Sequence, residues 1–274
     1  MESGMITTAD GFREAYAEIF ADVWALVAGL DEPQAMLPTR CPGWTVRDHI
    51  AHITDLESIL IGRPRAEHTV PEGLAHVRNQ PGAYMEIGVD ARRDVPLAEL
   101  LAEYQDVTTQ RLARLATLED SQLDEMGRGL FGESKVRLLL GIRVFDLWAH
   151  EQDIRSALHA PGGLDGVAAA HCRERMLIGA AHELQARVAP PAGTALLFDI
   201  EGPGGALRAI TFDGEKARSV DTVPSAPSAT FRLDLSTLTV LACGRDDPGA
   251  RSRVVVEGDQ NLASVVLEDL AVTP

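Results

Sequence analysis

Apolar residues recur at helical spacing through the first two-thirds of the chain. Over residues 10–29, Phe12, Tyr16, Ile19, Phe20, Val23 and Leu26–Val27 line one face, and Gly29 supplies a stop. The turn-rich stretch Pro38 to Gly43 breaks that pattern. Thr45 then offers an N-cap for a second helix with Val46, Ile50, Ile53 and Leu56 on its apolar face, and Thr45 with Asp48 approximates a capping box. Residues 62–96 are polar and carry several prolines. They read as a long irregular connection with a short helix around 72–77, and a loop of that length is often functional. Helical periodicity resumes over 97–118 and again over 135–158, where it is apolar enough to predict a central helix.

A fifth helix is expected over 167–188, ended by Pro190–Pro191. The texture then changes. Short alternating runs at 194–200, 207–212 and 229–233 read as strands, separated by glycine and Ser/Pro turns. Residues 235–243 return to helical spacing, 253–256 read as a strand and 261–270 as a last helix. The pattern predicts a four-helix bundle over residues 1–160, a connecting helix over 161–190, and a small α+β domain over 191–274.

The chain has 274 residues, enough for one large or two small domains, and 45% hydrophobic with 24% charged residues suits a globular protein. Its net charge of −16 argues against nucleic acid and against an anionic membrane surface as partners. No apolar run reaches the roughly 18 residues a membrane span needs. The greasiest stretch, 136–148, carries Arg137, Arg143 and Asp146. The first twenty residues lack the basic-then-apolar order of a secretory leader. Cys41, Cys172 and Cys243 are too few and too far apart for a disulfide framework. A cytoplasmic protein, monomeric or homodimeric, is expected.

Chemistry is sought first among the eight histidines. Three have an acidic residue four positions earlier: Asp48–His52, Glu72–His76 and Asp146–His150. In so acidic a chain about one is expected by chance, so the spacing alone decides nothing. Capping explains Asp48, and solvation explains Glu72. Asp146 is different because it lies in the most apolar helix, where an unpaired carboxylate is costly. Either a metal shared with His150 or a simple pairing with Arg143 or His150 would satisfy it.

The segment Pro38-Thr39-Arg40-Cys41-Pro42-Gly43-Trp44-Thr45-Val46-Arg47-Asp48-His49-Ile50-Ala51-His52 resembles the opening motif of the mycothiol-dependent maleylpyruvate isomerase family, part of the DinB-like superfamily of metal-binding four-helix bundles. Asp146-x-x-x-His150-x-x-Asp153-Ile154 resembles that family's acidic-x-x-x-His segment. Cys243-Gly244-Arg245, Gly258-Asp259 and Val272-Thr273-Pro274 resemble its appended domain, which is sterol-carrier-like. The resemblance spans nearly the whole chain.

By position, the resemblance implies that His52, Asp146 and His150 hold a divalent metal, typically zinc, with Asp146 standing where the family usually has the longer Glu. Three protein ligands leave open positions, as catalytic sites require. The implied cofactors are zinc and mycothiol, a low-molecular-weight thiol that attacks a small-molecule electrophile once bound as thiolate. Cis–trans isomerisation of a maleylpyruvate-like substrate is the prototype, and S-transfer is its variant.

His49 is read as a group that supports the ligand histidines from behind, as a proton shuttle, or as an ordinary partly buried histidine, and Asp153 either as a hydrogen-bond partner that orients His150 or as a helix-surface charge. Arg245 is either a clamp for a substrate or thiol carboxylate or a helix-end surface residue. Cys41 has no evident base in sequence and is read as structural, and Trp44 and Trp148 as core. Two rival readings stand beside the thiol enzyme. One is a metal enzyme using bound water without thiol. The other is a non-catalytic small-ligand-binding protein with a vestigial metal site.

Overall fold

The computed structural model describes residues 4–65, 67–130 and 132–273. Among them are nine α-helices and seven strands, divided between two compact units.

The first unit spans Ile6–Gly163. It contains α1 (Ala9–Val27), α2 (Glu32–Ala35), α3 (Val46–Leu60), α4 (Gln80–Asp90), α5 (Leu97–Leu115), the hairpin strands β1 (Met126–Gly129) and β2 (Gly132–Lys135), and α6 (Val136–Ala157). Helix α3 packs on α5, α5 on α1, α1 on α6 and α6 on α3, which closes a four-helix ring. The predicted apolar faces meet inside it: Phe12, Tyr16, Ile19 and Val23 of α1, Ile50, Ile53 and Leu56 of α3, Leu100, Tyr104 and Val107 of α5, and Val144, Leu147 and Trp148 of α6 are buried. At about 1.5–3 kcal/mol for each large apolar side chain removed from water, this interior drives the bundle.

Helix α3 departs from an ordinary amphipathic helix. Every residue from Val46 to Ser58 is buried, polar ones included. The bundle lies against one side and α4 against another. Its charges are paired: Asp55 with Arg65 and Arg92, Glu57 with Arg111 and Arg143, and Arg47 with Glu32. Such pairing is what burial of a charge demands.

Two expectations are corrected in this unit. The short helix expected at 72–77 is a run of turns, while the irregular connection contains α4. Helix α4 starts with Asn79, whose side chain accepts from the Gly82 backbone N–H at 2.7 Å, and Pro81 sits in its first turn. The hairpin β1–β2, paired from Met126↔Lys135 to Gly129↔Gly132, precedes α6 in a stretch for which the sequence pattern predicts no element.

The second unit contains residues 164–273: α7 (Val167–Arg187), β3 (Ala195–Glu201), β4 (Ala206–Phe212), β5 (Ala217–Val220), β6 (Ala229–Asp234), α8 (Leu235–Ala242), β7 (Val255–Gly258) and α9 (Gln260–Glu268). The sheet order is β5-β4-β3-β6-β7, with β3 and β6 parallel and the other neighbours antiparallel. Phe198 and Phe231 are opposite each other in the parallel pair and stack with centroids 5.0 Å apart. Strand β5 was not anticipated, and α7, read in sequence as a connector, packs on β4, β5 and α8. Among the described residues no helix is long and apolar enough to cross a membrane.

Candidate metal centre

Two helices and one turn build the centre. The turn before α3 is closed by an isolated bridge between Pro38 and Thr45, and by Trp44 N–H donating to the Cys41 carbonyl at 3.1 Å. Gly43 takes a positive φ of 78°, and a side chain there would run into the His76 ring. Thr45 and Asp48 form the expected reciprocal cap, with Thr45 N–H donating to Asp48 Oδ2 at 2.8 Å. The cap sets the helical phase so that His49 and His52 fall one turn apart on the same side of α3. On α6, Arg143, Asp146, His150 and Asp153 recur every three or four residues along one face.

Because α3 and α6 are neighbours in the ring, these faces meet. One potential ligand atom from each of His52, Asp146 and His150 lies within 4.8 Å of the others. His52 Nε2 is 3.2 Å from Asp146 Oδ2, and His150 Nε2 is 3.5 Å from Asp146 Oδ1. On its other side His150 Nδ1 lies 3.0 Å from His49 Nδ1 and 3.4 Å from Asp153 Oδ2. His49 Nε2 reaches Thr39 Oγ1 at 2.9 Å. The Trp44 ring lies 5.0–5.4 Å from the rings of His49, His52 and His150, and its Nε1–H donates to Glu86 Oε2 at 3.0 Å. The histidines are therefore held by edge-on and tilted ring packing as well as by polar contacts.

The electrostatics favour a donor set that can take a cation. Burial depresses the His52 pKa to about 4 against an opposing pull from Asp146, so its imidazole is neutral at neutral pH. Burial resists ionisation of Asp146, but the Arg143 guanidinium, with help from His52 and His150, overcomes it and holds the carboxyl well below its usual range. Arg143 Nη1 donates to Asp146 Oδ2, and Arg143 Nε donates to Glu57 Oε1 at 2.6 Å. Arg111 holds the other Glu57 oxygen at 3.0 Å. A carboxylate has about four lone-pair directions, so Arg143 leaves Asp146 able to accept elsewhere. His52 Nδ1 is buried and finds no hydrogen-bond partner among the described residues. Two neutral-capable imidazoles, each with Nε2 turned toward one ionised carboxylate, are a donor set that fits a divalent metal.

The centre opens onto a cavity of about 440 Å³. Asp146 and Arg143 lie at one side of it, and Leu56, Leu138, Ile142 and residues of the β1–β2 hairpin complete its mostly apolar wall. The Asp146 side chain stays 31% exposed while His52 and His150 are nearly closed off at 2% and 8%. Access to the ligand atoms is thus from the cavity side.

The six residues singled out in sequence separate into two groups. His49, His52, Asp146, His150 and Asp153 come together. Arg245 belongs to the second unit, where it follows α8, donates from Nη1 to the Cys243 carbonyl at 3.1 Å and borders a cavity of about 370 Å³. Sequence reasoning passed over Thr39, the hairpin and the role of Glu57 in fixing Arg143. Cys41, read as structural because the sequence shows no evident base for it, lies beside His49 and Asp153. The glycines at 127, 129 and 132 flanking polar residues were the available signal for the hairpin.

Residues 16–155, just over half of the chain, match the family described as the mycothiol maleylpyruvate isomerase N-terminal domain. Two uncharacterised proteins of Mycobacterium tuberculosis are each 27% identical to the chain over 236 residues, covering 82% of it and 86% of their own length. Among solved structures, a mycothiol-dependent maleylpyruvate isomerase and a histidine-to-alanine mutant of it superpose with TM-scores of 0.54 and 0.55. Each covers 91% of this chain and 92% of the other at 12% identity, a likeness of fold.

Proposed function

We propose, from the premise that this chain belongs to the mycothiol maleylpyruvate isomerase family through its N-terminal domain, that it is a metal- and mycothiol-dependent isomerase or S-transferase acting on a small electrophile. The observation that carries the reading is the convergence of His52, Asp146 and His150 beside a 440 Å³ cavity. These three residues would hold the metal, with zinc the expected ion. When bound, such a metal lowers the pKa of a coordinated thiol and so supplies a thiolate at neutral pH.

The remaining roles belong to the chain. Arg143 keeps Asp146 ionised and aimed, and is itself anchored by Glu57. With His150 Nε2 turned toward Asp146, its Nδ1–H donates toward His49 Nδ1 and Asp153 Oδ2, which sets the tautomer. His49 Nε2–H then donates to Thr39 Oγ1. Trp44 covers the imidazoles and keeps water from that side. The apolar wall formed by Leu56, Leu138 and Ile142 accommodates the carbon skeleton of the electrophile and excludes bulk water from it.

The test is turnover of maleylpyruvate, and of an electrophile for conjugation, by zinc-loaded protein with and without mycothiol. Turnover that requires both metal and thiol, and that is lost in His52→Ala, is the expected result. Turnover that needs the metal but proceeds unchanged without any thiol would sink the proposal and favour activation of water instead.

A further inference from the structure

We infer that Cys41, His49 and Asp153 form a second divalent-cation site, separate from His52, Asp146 and His150 and suited to a borderline-soft ion such as Zn²⁺ or Co²⁺. One ligand atom from each of the three lies within 4.8 Å of the others, a bound that the first cluster also meets. With bonds of about 2.0–2.3 Å, ligands of a tetrahedral ion stand roughly 3.3–3.8 Å apart, so a cation would draw each donor inward by less than about 1 Å. Thiolate, imidazole and carboxylate together select zinc-like ions over magnesium or calcium, which prefer all-oxygen shells. Binding sends the Cys41 thiol proton to solvent, and the resulting thiolate with the Asp153 carboxylate balances the two charges of the ion.

The three donors sit on three separately anchored pieces of chain. Cys41 is in the turn before α3, where its backbone N–H donates to Thr39 Oγ1 at 3.2 Å and its carbonyl accepts from Trp44. His49 is fully buried one turn into α3, and Asp153 is 4% exposed near the end of α6. Cys41 is only half-buried, which leaves a way in. The His49 ring meets Thr39 through Nε2 and His150 through Nδ1, so a cation exchanges one of those contacts for a metal bond. Occupied, the site would staple the turn to both helices behind His150. It shares His49 and Asp153 with the contacts that orient His150, and its test reads bound metal and not turnover.

The test is titration of the metal-free full chain with cobalt(II) chloride, following bound metal by dialysis and sulfur-to-cobalt charge transfer in the near ultraviolet. Wild type is expected to bind two equivalents, one of which brings in the charge-transfer band. Cys41→Ser should lose the band and one equivalent and keep the other, whereas His52→Ala should keep the band and lose the other equivalent. His49→Gln leaves the thiol and the turn in place and should weaken the band-forming equivalent by roughly 10-fold or more, with its circular dichroism unchanged. The inference is overturned by any of three results: no band in wild type at saturation, a band that survives Cys41→Ser or is indifferent to His49→Gln, or a band lost in His52→Ala. The last would move Cys41 to the first cluster.

Discussion

Arg143 joins the stability of the bundle to the chemistry of the centre, and removing it separates the two. Its guanidinium is buried between Glu57, which has no exposed surface, and Asp146. Arg143→Met keeps much of the volume but leaves one Glu57 oxygen without its cation, while Arg111 still holds the other. Breaking a buried ion pair from one side costs about 3–5 kcal/mol, and the surviving Arg111 contact places this variant near about 3 kcal/mol. Urea unfolding of the metal-free variant against wild type measures the loss. Metal affinity, read by competition with a chromogenic chelator, should fall by roughly 10–100-fold in Arg143→Met, because Asp146 loses the group that aims it and keeps it ionised. A loss under about 0.5 kcal/mol would refute the buried-pair reasoning.

Three further outcomes follow from the same geometry. The His52 pKa is depressed to about 4 in the folded chain against about 6.5 when unfolded, so the neutral ring stabilises the metal-free fold above pH 6.5. That contribution is lost as pH falls from 6.5 through 4, up to a ceiling of about 3 kcal/mol, and urea melts of His52→Ala should show a flatter acid limb than wild type. Gly43→Ala forces a side chain into a left-handed position against the His76 ring and should cost about 1–3 kcal/mol in a thermal melt; an unchanged midpoint would contradict the turn geometry. Ile142→Trp adds bulk on the cavity wall and should raise KM or abolish thiol-dependent turnover while leaving bound metal unchanged, and normal kinetics would remove this cavity from the proposal.

The bundle was legible because α1, α3, α5 and α6 are long and each has a consistent apolar face, while capping at Thr45 marked the start of α3. Helix α4 escaped because it buries only Glu86, Gly88 and Val89, one of them charged and one without a side chain, so no apolar stripe announces it. Its real signal was local: Asn79 followed by Pro81. Hairpin β1–β2 and strand β5 have four residues each, too short for alternation to stand out. For the site, spacing on a single helix could place Asp146 beside His150 but could not bring in His52, which depends on α3 and α6 being neighbours in space. The resemblance of the Cys-Pro-Gly-Trp segment supplied what periodicity lacked. Glu57 was hidden for the opposite reason, since a glutamate in mid-helix reads as surface charge until both of its arginines are seen around it.

The central claim is that His52, Asp146 and His150 bind a metal together, and the difference in zinc content between variants tests it most directly. Untagged wild type, His52→Ala and Asp146→Ala would each be reconstituted with zinc, passed through a desalting column and assayed by elemental analysis per chain. The account predicts that each substitution lowers bound zinc by one equivalent relative to wild type, whatever else the chain holds. Equal zinc in wild type and both variants would contradict it.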